Sequence, residues 1–254
     1  MDYIQGEKFI TLGDSQRIFY CKTDNINAFF DNLPTKDPFV LISHNGDGKI
    51  TDTPGNYDAD IKKIPSNLIR WFAQNVCYSH ERIESIPIGL ENGYNFPELQ
   101  KIKKMHNLTN IPKQHINLLY MNHNINTNMN ERLKPYELLE HKPWCTSVRG
   151  LNGIGFDEYI HNIHNHKFVI SPVGNGTDTH RLWECLYLNT IPIEKRNINN
   201  QFYTDLPICF VNEWEEITEE FLLSEYDRIT NTKWNLDKLT FSYWKHKIID
   251  AYKL

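Results

Sequence analysis

The stretch His166-Lys-Phe-Val-Ile-Ser-Pro-Val-Gly-Asn-Gly-Thr-Asp-Thr-His-Arg-Leu-Trp-Glu-Cys-Leu-Tyr-Leu-Asn-Thr-Ile-Pro-Ile193 decides the reading of the chain. It begins with a short apolar run, Lys167–Ser171, of the length and composition of a buried strand. Gly174 and Gly176 then punctuate a turn. Thr177 or Asp178 supplies an N-cap for a helix over Asp178–Leu188, and Thr190–Glu194 reads as the next strand. Strand, glycine turn, helix and strand in this order make a βαβ unit of a parallel sheet. At such a turn, free N–H groups and the positive helix end attract an anion, and glycine lets a phosphate approach the backbone. Arg181 and Glu184 lie three residues apart and share a helix face, while Leu182, Cys185 and Leu186 form the apolar stripe opposite. A cation for a diphosphate beside a carboxylate for ribose hydroxyls suits a nucleotide-sugar site. The bare Gly-x-Gly turn is common, and a carboxylate at Asp178 would repel an anion. Asp178 therefore has a second reading as a pure cap, with Thr177, Thr179, His180 and Arg181 left to hold the diphosphate.

Working outward, strands are expected at Lys8–Leu12, Arg17–Cys21, Phe39–Ser43, Ile83–Ile88, Ile116–Met121, Trp144–Val148 and Pro207–Val211. Helices are expected at Ser66–Gln74, Asn130–Leu139, Phe156–Asn162, Ile217–Arg228 and Leu239–Tyr252. From Ile116 onward the two alternate regularly, as in a sheet with helices on both faces. The Pro-, Asn- and Lys-rich stretch Glu98–Gln114 reads as a linker. The expected fold class is therefore α/β with two lobes, residues 1–112 and 113–237, and a terminal amphipathic helix in 238–254.

Composition narrows the function. The 254 residues carry 27 Lys+Arg against 32 Asp+Glu, a net charge of −5 that argues against nucleic-acid binding. No run approaches the roughly 20 apolar residues of a membrane span, and the first residues lack a signal peptide's basic head and apolar segment. A soluble, cytoplasmic protein is the expectation. Five scattered cysteines with no C-x-x-C pair read as reduced thiols. Asn exceeds a tenth of the chain, which fits an AT-rich coding bias; Asn175, between the two glycines, is the one asparagine singled out for a role. Asp58-Ala-Asp60 lies in a polar loop, and His161, His164 and His166 change from helix to strand spacing, so neither group reads as a metal site.

The segment Ser171–Ile193 closely resembles the signature of exostosin-like glycosyltransferases, in particular the short soluble forms of large algal viruses and some bacteria. Ile69–Asn75, Ile86–Asn92 and Leu118–Asn128 extend that resemblance over roughly residues 40–215. It implies a GT-B fold: two Rossmann-like lobes across a cleft, nucleotide sugar on the C-terminal lobe and acceptor on the N-terminal lobe. The last helix would cross back onto the first lobe. The implied reaction is metal-independent and inverting. It moves a sugar, with xylose one candidate, from a nucleoside diphosphate, UDP first among them, to a glycan hydroxyl. No cofactor is expected. The resemblance places Ser171, Asn175, Gly176, Thr177, Asp178, Thr179, His180 and Arg181 around the diphosphate and sugar, and Glu184 at the ribose. Arg132, opening the helix after the lobe's first strand, and Arg149, after Trp144–Val148, are further candidate cations in place of a metal. An inverting transfer needs a base for the acceptor hydroxyl. Phe39-Val-Leu-Ile-Ser-His-Asn-Gly-Asp-Gly48 ends a buried strand with His44 and Asp47, and either is a candidate, Asp47 first. Departures from the longer, membrane-anchored exostosins count against a heparan-type substrate. The alternatives are a sugar-nucleotide epimerase of a related two-lobe fold or a non-catalytic carbohydrate-binding protein.

Overall fold

The computed structural model describes residues 2–13, 17–93, 97–149 and 154–253. In chain order the elements are α1 (Gly6–Ile10), β1 (Ile18–Lys22), α2 (Ile26–Asp31), β2 (Phe39–His44), β3 (Ile50–Thr51), β4 (Ala59–Asp60), β5 (Leu68–Ala73) and β6 (Ile83–Ser85). Then follow α3 (Pro97–Leu108), β7 (Asn117–Met121), α4 (Met129–Leu139), β8 (Cys145–Ser147), α5 (Phe156–Asn165), β9 (His166–Ile170) and α6 (His180–Tyr187). The last elements are β10 (Ile191–Lys195), β11 (Cys209–Val211), α7 (Glu219–Thr230) and α8 (Phe241–Lys253). Among the described residues no helix is long and apolar enough to cross a membrane.

Two parallel sheets organise the molecule, as the α/β reading requires. The first has the order β1-β2-β5-β6, and the second β11-β10-β9-β7-β8. A small β3–β4 pair adjoins the first sheet, Ile50 of β3 bridging to Val76 just past β5. Successive side chains on a strand point to opposite faces, so a doubly covered strand is apolar throughout. In β2, Phe39 and Leu41 pack with Ile26 and Phe30 of α2, whereas Val40 and Ile42 pack with Phe9 of α1 and with Trp244 and Ile248 of α8. In the second sheet, Leu119, Phe168 and Ile170 meet Tyr136 and Leu139 of α4 and Leu222 and Ile229 of α7. Tyr120 and Val169 meet α5 and α6 on the other face. One apolar cluster runs from Val40 and Phe72 of the first sheet through Trp183 of α6 to Val169 of the second. The terminal helix α8 packs on β2 and β5, and its Lys247 pairs with Glu84 of β6.

Three expected elements are corrected. Ser66–Gln74 is not a helix but contains β5: Phe72 enters one core face while Leu68, Trp71 and Ala73 enter the other, and burial on both sides mimics the density of a helical pattern. Lys8–Leu12 is not a strand; the short helix α1 buries Phe9 against the His44 ring, centroids 5.2 Å apart. Glu98–Gln114 is mostly helix α3 rather than linker. Ile102, Met105 and Leu108 recur every third residue on its core side, while Lys103 and Lys104 are exposed on its outer face and Lys101 lies over the Phe156 ring.

Candidate functional site

Numbered within the second sheet, the strand order is 2-1-3-4-5, and it reverses between β7 and β9. In open parallel sheets the crevice outside the carboxyl ends of the two strands flanking such a reversal is where ligands bind. Here that crevice is bounded by Asn122, just after β7, and by residues 171–179, which join β9 to α6. The turn closes through Gly174 N–H to Gly176 O at 3.0 Å. A β-carbon on Gly176 would lie 2.8 Å from the Asn75 amide, so only glycine fits there. Asn75 itself has φ +59; its Oδ1 accepts from Asp178 N–H at 2.9 Å and its Nδ2 donates to Gly46 O at 3.2 Å. One asparagine after β5 thus ties the glycine turn to the carboxyl edge of the first sheet.

Several residues expected around a diphosphate are instead used to build the turn. Asp178 is buried and accepts from Ile88 N–H at 2.7 Å, Thr179 N–H at 2.8 Å and Trp183 Nε1–H at 2.9 Å. Burial pushes its carboxyl up to about 6. The cap reading is corrected: the N-cap of α6 is Thr179, with no side-chain bond to the helix end, and the Asp178 carboxylate instead ties the turn to Ile88 and to the Trp183 indole. Ser171 Oγ lies 3.1 Å from Thr179 Oγ1 and donates to Glu194 Oε1 at 3.2 Å, and Thr177 Oγ1 lies 3.0 Å from Cys77 Sγ. Asn175 is exposed and donates across to Asp47 Oδ2 at 3.3 Å, a second link between the sheets. Arg132 is corrected as well. Its Nε donates to Val173 O at 2.8 Å, Nη1 to Asn124 O at 3.1 Å and Nη2 to Pro172 O at 3.4 Å, so it buttresses the turn from behind. Burial, with Arg181 nearby, pulls it down to about 10. Arg149 is exposed, pairs with Glu140 and lies over the Tyr136 ring; it lines none of the cavities described below.

Arg181 and Glu184 do converge on a cavity. It measures about 430 Å³ and is lined by Asn122, Tyr159, Arg181 and Glu184, by the ion-paired Lys101 and Glu91, and by Leu90, Ile102, Met105 and Phe156 as an apolar wall. Arg181 Nη1 donates to Asn122 Oδ1, and the guanidinium carbon sits 5.4 Å from the Tyr159 ring centroid. Tyr159 donates its hydroxyl to Glu184 Oε2 at 2.5 Å. Asn122 is 1% exposed, and its Nδ2 has no hydrogen-bond partner among the described residues. A buried amide N–H without an acceptor costs about 1–3 kcal/mol, a cost a bound acceptor oxygen would remove. The volume falls in the range of small-molecule sites, and an apolar wall with a few converging polar groups is their usual composition.

A second cavity, about 420 Å³, opens at the carboxyl edge of the first sheet and is lined by Lys22, Asp24, His44, Asn45, Asp47, Gln74, Asn92 and His180. Its lining is mostly polar, as suits hydroxylated ligands. Of the two candidate bases, His44 is corrected: its ring is 1% exposed, Nε2 faces Pro87 O at 3.0 Å, and Nδ1 lies 2.8 Å from Asn45 N–H, from which it accepts, and 3.0 Å from Asn45 Oδ1. A carbonyl accepts only, so Nε2 carries the proton and the lone pair on Nδ1 is already used. Burial drives His44 down to about 4, keeping it neutral. Asp47 lies exposed on the rim. His180, the first residue of α6, lines this cavity while the next residue, Arg181, lines the other.

No protein-family model matches the chain, and no curated protein does. The aspartates of Asp58-Ala-Asp60 accept backbone N–H groups from Lys49, Gly55 and Lys62, and His164 and His166 bond to Ile111 O and Asn162 O. The residues sequence reading missed are Asn75, Asn122, Tyr159 and Glu194. Only Tyr159 left a readable signal, because it lies on the same side of α5 as Phe156, one turn away. Glu194 is buried in β10 beside Asp178 and is pushed up to about 8 by burial.

Proposed function

We propose that the protein is a glycosyltransferase of the exostosin-like, GT-B kind, with lobes meeting near residue 113. It transfers a sugar from a nucleoside diphosphate, UDP first among candidates, to a glycan hydroxyl with inversion. The observation that carries the reading is the 430 Å³ cavity at the strand-order reversal, where Arg181, the unpartnered Asn122 amide and Glu184 face an apolar wall. In this reading Arg181 and the Asn122 N–H hold diphosphate oxygens and stabilise the charge on the leaving group without a metal. Glu184, oriented by Tyr159, accepts ribose hydroxyls, and the apolar wall covers the base. The sugar then points past His180 into the polar cavity, where Asp24, Asp47 and Gln74 would meet an acceptor's hydroxyls. The reading is tested with a panel of nucleotide sugars and oligosaccharide acceptors, assayed in EDTA by released nucleoside diphosphate. Release above background for at least one pair is expected; none across the panel contradicts it.

A further inference from the structure

The two histidines of the polar cavity have opposite tautomers. Both ring nitrogens of His44 are engaged, and its Nδ1 lone pair points at Asn45 N–H. His180 Nδ1 lies 2.7 Å from Gly89 O, and since a carbonyl only accepts, Nδ1 carries the proton. Its Nε2 therefore bears the lone pair, and the ring makes no other hydrogen bond among the described residues. Gly89 is itself held: its φ is +67, and a β-carbon there would lie 2.3 Å from Ile4 O. The carbonyl that fixes the His180 tautomer thus belongs to a backbone position that only glycine can occupy without strain.

The location of His180 is as specific as its tautomer. It opens α6 directly before Arg181, so the seam between the two cavities runs through this dipeptide. Across the seam, Ile88 lines the polar cavity and Leu90 the other. A donor seated on Arg181 and reaching for the polar cavity must bring its anomeric carbon past His180. Asp47, by contrast, is exposed at the rim and engaged by Asn175.

We propose that His180, through Nε2, is the general base of the transfer. This rests on the glycosyltransferase reading above. The acceptor O–H proton passes to Nε2 as the oxygen bonds to the anomeric carbon. The bond from that carbon to the diphosphate oxygen breaks, and its electron pair leaves with the nucleoside diphosphate. The imidazolium then returns its proton to water.

The test is His180→Asn, whose amide nitrogen takes the place of Nδ1 and keeps the donor to Gly89 O while removing Nε2. Transfer kcat should fall about 100-fold or more, in line with loss of a general base, while the Kd for UDP changes less than about threefold. His180→Ala should be equally slow and regain activity with added imidazole. Retention of more than about a third of wild-type kcat by His180→Asn overturns the assignment, as does absence of imidazole rescue. Loss of transfer in Asp47→Asn with His180→Asn unimpaired moves the base to Asp47. A failure of the transferase reading is separate, since it shows in the wild-type protein as no release from any nucleotide sugar.

Discussion

The two sheets are built alike and end differently. Both are wholly parallel and buried on both faces, but strands of the first lie in chain order, whereas strands of the second reverse between β7 and β9. At a reversal, the connections leaving two adjacent strands depart to opposite faces and leave a crevice. In the second sheet that crevice contains a guanidinium, an unpartnered amide and a carboxylate beside an apolar wall. The first sheet has no such point, and its edge offers a polar cavity of exposed aspartates and amides instead. One side suits a charged, partly apolar ligand and the other a hydroxylated one. Strand order, more than residue composition, distributes these chemistries.

Removing the cation at the reversal should break the contrast most sharply. Arg181→Ala is expected to weaken nucleoside diphosphate binding roughly 100-fold, about 3 kcal/mol, as loss of one partner from a buried charged hydrogen bond does. Titration calorimetry checks this, and binding within threefold of wild type would move the ligand away from the reversal. Next in size is the joint between the sheets. Asp178→Asn keeps one acceptor oxygen but sets its N–H₂ against either Ile88 N–H or the Thr179 and Trp183 N–H groups, and should cost about 2 kcal/mol in urea unfolding.

Glu194 sharpens the comparison through pH. Its folded value, about 8, lies above the ordinary 4.5, so the folded state holds the proton more tightly than the unfolded chain. Stability from this group is complete below about 4.5 and lost as pH rises through 8. His44, lowered to about 4, acts oppositely below 6.5, and Lys113, lowered to about 8, acts oppositely as pH approaches that value, which leaves about pH 6.5–7.5 as the window. Across it the wild type should lose on the order of 1–2 kcal/mol, whereas Glu194→Gln, which carries no titrating proton, should stay flat in thermal unfolding. Smallest of all, Arg149→Ala removes an exposed pair with Glu140 and should change stability by less than about 0.5 kcal/mol, leaving nucleotide binding intact by the same calorimetry.

The second sheet was the more legible in sequence. Its strands are short apolar runs separated by helices with one polar face, and the turn from Ser171 to Thr179 announced itself by its glycines, although the cap falls on Thr179 rather than on Thr177 or Asp178. The first sheet was harder for a physical reason. β5 buries Trp71 and Phe72 on opposite faces, and an element apolar on both sides loses its period. Helix α3 was hidden by lysines and amides on its outer face, although Ile102 and Met105 form part of the cavity wall. At the site, Arg181 and Glu184 were readable because they sit on one helix with a three-residue spacing. Asn75 and Asn122 were not, since their roles depend on contacts with Asp178 and Arg181 across 103 and 59 residues of chain. Arg132 and Arg149 misled because a cation at a strand end looks the same whether it faces a ligand, a carbonyl or a carboxylate.

The proposed nucleoside diphosphate site lies at the strand-order reversal of the second sheet. A thermal-shift series with UDP, GDP, ADP and CDP in EDTA tests it directly. At ligand concentrations about 100-fold above Kd, linkage adds about 2.7 kcal/mol to stability, so at least one diphosphate should raise Tm of the wild type and fail to do so in Arg181→Ala. No rise with any of the four at millimolar concentration, or an equal rise in both proteins, would contradict it.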